Sequence, residues 1–328
     1  MMMENVSESD HWVSLRNVSV TYGRRRRRSV EAVKDVSLDL VRGSGFGVIG
    51  ESGSGKSSLG RVLAGVANPT TGVCNYRFRG TPEPPVRSKA ARVQMITQDP
   101  RSALDPRWPI WRSVAEAVEF SGRRTVQRKA ASEAAVAALE EVGLGIAESE
   151  RRPGALSGGQ LQRATIARAL MARPEALLCD EITSALDVST QAGIVELLLA
   201  LKNSFHLSYV FISHDLAVVS GLVDRIAVMF AGRIVEIADT EDLIERPIHP
   251  YTQELVRASS SEALLQENQT LEQSRVSVVR DETQTIGCPY RDRCQNAGSD
   301  CGVTAPTMVQ VTSSRGVACF HPLVSRHE

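Results

Sequence analysis

Residues 50–57 have the residue types and spacing of a phosphate-binding loop. Their sequence, GESGSGKS, fits the pattern G-x-x-x-x-G-K-[ST] at every fixed position. Glycines let backbone N–H groups turn toward phosphate oxygens, and a following helix adds the positive end of its dipole. Lys56 would reach the β- and γ-phosphates, and the Ser57 hydroxyl would bind Mg²⁺. The predicted phosphate-binding residues are Gly50, Ser52, Gly53, Ser54, Gly55, Lys56, Ser57 and Ser58.

The segments on either side of this loop fit the strand–loop–helix order that the pattern requires. A short apolar stretch at residues 46–49 predicts a buried strand, and Ser57, Ser58 and Leu59 begin a predicted helix. The competing interpretation is an ordinary turn rich in glycine and serine. The Lys-Ser pair disfavours that interpretation, and we predict a nucleotide site.

Two carboxylates point to hydrolysis of the bound nucleotide. The apolar run at residues 176–179 ends in Asp180 and Glu181. Carboxylates at the carboxyl end of a buried parallel strand face the ligand crevice of an open α/β sheet. We predict that Asp180 holds Mg²⁺, usually through water, and that Glu181 polarises an attacking water.

A second anion-binding nest is predicted at Leu156-Ser157-Gly158-Gly159-Gln160, before a helix over residues 161–171. A single phosphate loop does not need a second nest. Two nests make sense if each one contacts a different nucleotide.

Composition limits the classes of function. The chain has 328 residues, of which 42% are hydrophobic and 23% charged, and its net charge is zero. These values are typical of a globular protein and provide no overall field that would recruit nucleic acid. Arg24 to Arg28 form a local exception, for which a solvated loop is favoured over contact with phosphate, lipid or an acidic partner. No apolar stretch approaches the roughly 18 residues that span a bilayer, and the N-terminus resembles no signal peptide, so we expect a cytosolic protein.

The hydrophobic pattern predicts an α/β protein of several parts. Alternation over residues 12–41 predicts an antiparallel β-subdomain, an α/β core begins near residue 46, and residues 100–154 predict a helical subdomain. We assign residues 1–258 to this nucleotide-binding domain. A polar linker follows at 259–286, and a small Cys-rich extension occupies 287–328.

Together these motifs resemble the ATP-binding cassette (ABC) ATPases. Further elements in the family's order are Tyr22, similar to the aromatic that stacks on adenine; Gln98, similar to the Q-loop glutamine; residues 184–187, similar to the D-loop; and His214, similar to the switch histidine. The resemblance implies a P-loop fold and a head-to-tail pair of cassettes, with each ATP between the phosphate loop of one subunit and the signature of the other. It implies catalytic roles for Glu181, His214 and Gln98, Mg²⁺ binding by Ser57, Gln98 and Asp180, and contact of Ser157, Gly158, Gly159 and Gln160 with the partner's ATP.

Two stretches narrow the resemblance to the dipeptide, oligopeptide and nickel importer ATPases. They are residues 98–107, QDPRSALDPR, where Asp105 replaces the usual asparagine, and residues 246–253, RPIHPYTQ. This implies an ATP-driven importer at the cytoplasmic face of the membrane, with peptides as the leading cargo and no nucleic acid partner. The implied partners are a second cassette, identical or paralogous, two membrane-spanning permease subunits and an extracytoplasmic substrate-binding protein.

Two alternatives are disfavoured. An ABC ATPase acting on DNA or ribosomes typically has two cassettes or long coiled coils, whereas this chain has one cassette and no sustained heptads. A regulatory binder that no longer hydrolyses ATP would not need Glu181 and His214.

Four of the six cysteines lie in the last 41 residues: Cys288, Cys294, Cys301 and Cys319. In a cytosolic protein such clustering favours metal or redox chemistry over disulfides. The cysteines are separated by five, six and seventeen residues, without the tight pair typical of structural zinc. We therefore favour a [4Fe–4S] cluster over zinc or free thiols. The peptide-importer ATPases share such an extension, and some of them bind an iron–sulfur cluster.

Overall fold

The computed structural model describes residues 10–23, 29–79, 89, 91–120, 128–184, 186–205, 207–259 and 286–323. The arginine run at residues 24–28 and nearly all of the predicted linker lie outside the described residues.

A three-stranded antiparallel sheet packs over one face of the central sheet. Its strands are β1 (His11–Tyr22), β2 (Val30–Val41) and β4 (Thr71–Tyr76), in the order β2-β1-β4. The register of β1 against β2 shifts between Leu15 and Val18, where Asn17 has a φ of 50°. This bulge changes the phase of the alternation, so that Leu15, Val18 and Val20 all stay buried.

The central sheet has eight strands in the order β10-β11-β9-β8-β3-β7-β6-β5. Its parallel part contains β5 (Val93–Ile96), β6 (Ala176–Asp180), β7 (Ser208–Ser213), β3 (Gly45–Ile49) and β8 (Arg225–Phe230). These strands are almost wholly apolar because both faces are covered. Leu178 and Val210 face the three-stranded sheet, while Leu177 and Phe211 face the helices on the other side.

Nine helices are assigned within the described residues. They are α1 (Lys56–Leu63), α2 (Ile110–Phe120), α3 (Arg128–Glu141), α4 (Ile146–Ser149), α5 (Gly158–Met171), α6 (Val188–Phe205), α7 (Leu216–Ser220), α8 (Thr240–Glu245) and α9 (Pro250–Ser259). Helices α2, α3 and α5 pack against one another. Helices α2, α3 and α4 lie within residues 100–154, which the sequence predicts as a helical subdomain, whereas α5 lies beyond that range. Within the described residues, none of these helices has the length and apolar character needed to cross a membrane.

The C-terminal extension is hydrogen-bonded into the central sheet. Strand β9 (Arg233–Asp239) pairs antiparallel with β8 and with β11 (Gly316–Val317), and β11 pairs with β10 (Val309–Gln310). The sequence predicts a small Cys-rich extension at residues 287–328. In the structure this segment adds two strands to the central sheet and buries Tyr290 and Val317.

Candidate nucleotide site

The loop between β3 and α1 needs glycine at two of its predicted positions. Gly50 has a φ of +152°, and a Cβ there would lie 2.2 Å from the Met229 carbonyl oxygen. Gly55 has a φ of +100°, and a Cβ there would lie 2.1 Å from the Ala32 carbonyl oxygen. The loop therefore runs against β8 and β2 with no room for side chains at these points.

The other predicted loop residues differ in exposure. Ser52 and Gly53 are exposed at the tip of the loop, Ser54 is buried, and Ser58 is half-buried in the first turn of α1. The Ser54 carbonyl accepts a 2.9 Å hydrogen bond from the Gly232 amide, which fixes the loop to the turn between β8 and β9.

Lys56, the first residue of α1, directs its side chain back against the loop. Its buried ammonium group donates to the carbonyl oxygens of Gly50 and Glu51, both at 2.7 Å. Burial lowers the pKa of Lys56, and the carboxylates of Glu181, Asp180 and Glu51 oppose that shift. The loop thus holds a cation among carbonyl oxygens, next to the carboxylates at the end of β6.

A hydrogen bond joins the start of α1 to the end of β6. The Ser57 hydroxyl donates to Asp180 Oδ1 over 3.0 Å. Burial raises the pKa of Asp180, and the Ser57 hydrogen bond opposes that shift. A hydroxyl and a carboxylate side by side are oxygen donors of the kind that Mg²⁺ prefers, so these two residues fit the implied ion.

Glu181 follows Asp180 in a left-handed backbone conformation, with a φ of 50°. Such a conformation is uncommon outside glycine and is often found at functional sites. Its Oε1 atom lies 3.8 Å from Nδ1 of His214, at the end of the neighbouring strand β7. The structure therefore brings together the predicted base and the predicted switch histidine.

Gln98 reaches this pair through Ser184. The Gln98 amide donates to Ser184 Oγ over 3.2 Å, and Ser184 Oγ donates to the Glu181 carbonyl over 2.9 Å. The sequence placed Ser184 in the D-loop but carried no sign of this bridge, which depends on the order of β5 and β6 in the sheet. The role of Gln98 as a magnesium ligand stays a prediction. Ala185, in the same D-loop, lies outside the described residues.

The predicted signature forms a capped helix start. Ser157 Oγ accepts from the Gln160 amide at 3.2 Å, and the Gln160 side chain accepts from the Ser157 amide at 3.0 Å, a reciprocal capping box. Ser157 and Gly158 are exposed, whereas a Cβ on Gly159 would lie 2.4 Å from Thr190 Cγ2. Among the described residues, no hydrogen bond joins residues 156–160 to the phosphate loop.

Tyr22 ends strand β1 with its side chain 41% exposed. It pairs with Val30, two residues before Ala32, whose carbonyl oxygen lies against Gly55. This end of the three-stranded sheet therefore borders the phosphate loop, and an adenine contact by Tyr22 stays a prediction.

One neighbour of the loop was missed by sequence reasoning. The Glu51 amide donates to the Tyr251 hydroxyl at 2.9 Å. Tyr251 belongs to the stretch at residues 246–253, which the sequence marked for its similarity to importer ATPases and not for any contact with the loop. A contact between residues 200 positions apart leaves no local signal.

The four predicted metal-binding cysteines all lie in the described part of the extension, where the Cys288 amide donates to the Cys301 carbonyl at 2.8 Å. All are free; Cys288 and Cys301 are buried, and Cys294 and Cys319 are half-buried. Burial raises the pKa of Cys319 to about 11, and the charges of the other three thiols act in the same direction. A metal centre would relieve this effect, because it binds and stabilises thiolates.

A second possible ligand group shares one of these cysteines. Asp300, Cys301 and His321 place one ligand atom each within 4.8 Å of one another. The Nε2 atom of His321 lies 2.7 Å from Asp300 Oδ1.

Two family models match the chain. The ABC transporter model matches residues 33–184, and the model of the oligopeptide/dipeptide transporter C-terminal region matches residues 235–301. The first range contains the phosphate loop, the signature and the carboxylates that end β6. The second contains Tyr251 and three of the four clustered cysteines.

Sequence relatives match over nearly the full length. The chain is 36% identical over 301 residues, 90% of each chain, to a dipeptide transport ATP-binding protein of Haemophilus influenzae. It is 35% identical over 323 residues, 96% of this chain and 100% of the relative, to a probable D,D-dipeptide transport ATP-binding protein of Escherichia coli.

A solved structure shares the fold. It is a dimeric ATP-binding cassette in a post-hydrolysis state with ADP and Pi, and the TM-score is 0.62 with 27% identity. The match covers 70% of this chain and 98% of that one.

Proposed function

Because the chain belongs to the ATP-binding proteins of ABC transporters, we propose that it is the ATPase subunit that energises a peptide importer. One observation carries the hydrolytic part: Ser57 is hydrogen-bonded to Asp180, and the next residue, Glu181, lies against His214. Peptide cargo is supported by the match to the oligopeptide/dipeptide transporter C-terminal region and by the names of the relatives.

The proposed roles follow from the position of each side chain. Lys56 and the backbone amides of the loop bind the β- and γ-phosphates, and Ser57 and Asp180 hold Mg²⁺. When bound, Mg²⁺ neutralises charge on the phosphates. Glu181 accepts the proton of the attacking water, and His214 and Gln98 orient that water and the γ-phosphate.

The signature is proposed to act on the partner's nucleotide. The first turn of α5 presents exposed Ser157 and Gly158 with the helix N-terminus behind them, an arrangement suited to an anion. This turn makes no hydrogen bond to the described phosphate loop of its own chain. In a head-to-tail pair of subunits it would instead face the ATP bound to the partner's phosphate loop. The matched solved structure, itself a dimer, supports this arrangement.

The remaining proposed partners are two permease subunits and an extracytoplasmic substrate-binding protein, with the ATPase at the cytoplasmic face of the membrane. Residues 98–107 are the proposed contact with the permeases. This segment starts at Gln98, whose side chain donates to Ser184, and Ser184 in turn donates to the Glu181 carbonyl. Two hydrogen bonds would therefore connect a permease contact at Gln98 to Glu181.

Reconstitution tests this function. The whole transporter, placed in liposomes with its binding protein, should take up a mixture of di- and tripeptides only when ATP is supplied on the cassette side. Lys56→Ala should abolish ATP binding and uptake, whereas Lys129→Ala, at an exposed position in α3, should preserve both. Hydrolysis stimulated by DNA or ribosomes but not by peptides would favour the alternative class of ABC ATPase.

We also propose that Cys288, Cys294, Cys301 and Cys319 hold a [4Fe–4S] cluster. The absence of a tight pair in their spacing supports a cluster over a single structural zinc ion. A structural role is sufficient, since a metal centre stabilises a short segment.

Iron analysis tests the cluster. Protein purified anaerobically should be brown with about four iron atoms per chain. Cys294→Ser should bleach it, and His321→Ala should not. Stoichiometric zinc that is lost in His321→Ala would instead assign a single ion to the group of Asp300, Cys301 and His321.

A further inference from the structure

Arg293, in the C-terminal extension, contacts the phosphate loop directly. Its Nη1 atom lies 2.8 Å from Glu51 Oε1, and its Nη2 atom lies 2.6 Å from Glu254 Oε1. Glu51 is the second residue of the loop, and its carbonyl oxygen accepts from the Lys56 ammonium group at 2.7 Å. One guanidinium group thus joins the extension, helix α9 and the loop.

Three aromatic rings surround this guanidinium group. Its Cζ atom lies 5.7 Å from the ring centroid of Phe230, 6.0 Å from that of Tyr251 and 5.5 Å from that of Tyr290. These rings come from β8, α9 and the extension. Because each segment contributes a ring, the orientation of Arg293 depends on the extension being docked on the cassette.

Glu51 is held at two points by this assembly. Its side chain pairs with Arg293, and its backbone amide donates to the Tyr251 hydroxyl. Tyr251 in turn packs against Tyr290 with ring centroids 5.4 Å apart. The second residue of the phosphate loop is therefore fixed from outside the loop by groups that meet only in the folded chain.

The charge of Glu51 gives this contact a consequence for ATP. A carboxylate in the phosphate loop repels a polyphosphate, and a paired arginine offsets that repulsion. We propose that Arg293 is a positioning residue of the phosphate loop, which neutralises and holds Glu51 and so makes ATP affinity depend on the C-terminal extension. This inference assumes the proposed role of the loop in ATP binding.

Equilibrium binding of ATP with Mg²⁺ to the full chain tests the inference. Arg293→Ala should raise the Kd about fivefold, as expected for a partly exposed ion pair. Adding Glu51→Gln to that variant should restore the Kd to within about twofold, because the unpaired charge is gone. Arg293→Lys should fall between the two, since lysine keeps the charge but not the planar fork. The single variant Glu51→Gln completes the double-mutant cycle of these two residues and should bind ATP at least as tightly as the unaltered chain.

Two control variants distinguish the proposed role of Arg293 from the loss of any exposed arginine and from failure of the ATP site itself. Arg16→Ala removes an arginine of similar exposure, which pairs with Asp39 on the three-stranded sheet, and should leave the Kd unchanged. Lys56→Ala should abolish binding. If Lys56→Ala binds ATP normally, the proposed site is wrong and the inference is wrong with it.

Two further outcomes would overturn the inference alone. One is an unchanged Kd in Arg293→Ala while Lys56→Ala has lost ATP. The other is a weakened Arg293→Ala that Glu51→Gln does not rescue, since a purely structural defect in the extension would not respond to the charge of Glu51.

Discussion

The nucleotide site and the contact of the C-terminal extension with the cassette are assembled in different ways. The site gathers residues at or just after the ends of neighbouring strands, such as Asp180, the last residue of β6, and His214, the residue after β7. Besides the pairing of β11 with β9, the contact includes three side-chain pairs, called here the C-terminal seam: the ion pairs Glu51–Arg293 and Glu236–Arg315 and the hydrogen bond between Tyr290 and Glu254. Their members lie 242, 79 and 36 positions apart. Residues at strand ends form the nucleotide site, whereas two ion pairs and one hydrogen bond between distant residues form the seam. Perturbing the seam should therefore change stability, and perturbing the strand ends should change turnover.

The largest effect is expected at the buried pair of the seam. Glu236 is fully buried, and its partner Arg315 is nearly so, with the two 2.6 Å apart. Arg315→Ala leaves a buried carboxylate without its cation and should lower the free energy of unfolding by about 3–5 kcal/mol. Urea unfolding of the full chain measures this. The matched change Arg16→Ala, at an exposed pair, should cost less than about 1 kcal/mol, and equal costs for the two would contradict the buried role.

Acid should weaken the same region through His249. Its buried imidazole caps α9, with Nδ1 accepting from the Tyr251 amide at 3.0 Å, and burial lowers its pKa from 6.5 to about 4. Between these values the unfolded chain binds a proton that the folded chain does not. Stability is therefore unaffected above pH 6.5 and falls as the pH drops toward 4, by roughly 3 kcal/mol from this residue.

The comparison with His249→Asn isolates that contribution. Asparagine keeps a capping acceptor without a titrating group. Unfolding free energies measured from pH 7 to pH 4 should fall less steeply in the variant. Parallel curves for the two proteins would assign the acid sensitivity to other groups.

At the nucleotide site, Glu181→Gln keeps the shape of the side chain but removes its ability to accept a proton. We expect turnover to fall roughly 10²-fold or more, with ATP binding and the free energy of unfolding nearly unchanged. Turnover is measured as steady-state ATP hydrolysis by a complex in which both cassettes are known. Near-normal hydrolysis with the variant in both active sites would exclude Glu181 as the base.

The smallest effect on a subunit's own ATP affinity is expected for Ser157→Arg. The signature makes no hydrogen bond to the described phosphate loop of its chain, so the Kd of the isolated subunit should change less than about twofold. Closure over the partner's nucleotide should be blocked. ATP-dependent dimerisation, monitored on a sizing column, measures this closure. Loss of ATP as complete as in Lys56→Ala would show that the signature acts in its own subunit.

The difference between the nucleotide site and the C-terminal seam also explains which features the sequence could predict. The phosphate loop, β6 with Asp180 and the helix after Ser157 follow from motifs of a few residues, whose backbone demands are local. The observed helix starts at Gly158, three residues before the predicted 161, because the capping box of Ser157 and Gln160 includes the glycines.

Other features depend on the arrangement of whole elements. The Gln98–Ser184 bridge requires β5 beside β6, and the pairing of Arg293 with Glu51 requires the extension to dock next to the loop. Neither has a periodic pattern or a fixed spacing. The strand β11 is two residues long, too short to produce an alternation that could be recognised in the sequence.

That short strand has a consequence for how copies of the protein meet. Without residues 309–317, β9 would be the edge of the central sheet, and every second one of its seven residues would present an unpaired amide and carbonyl. Exposed edges of this kind template strand addition from other chains. Strand β11 covers part of that row, and the outermost strand is then β10, with only two residues. A chain shortened before residue 286 should accordingly associate edge to edge through β9, a mode of association that differs from the proposed head-to-tail pair of cassettes.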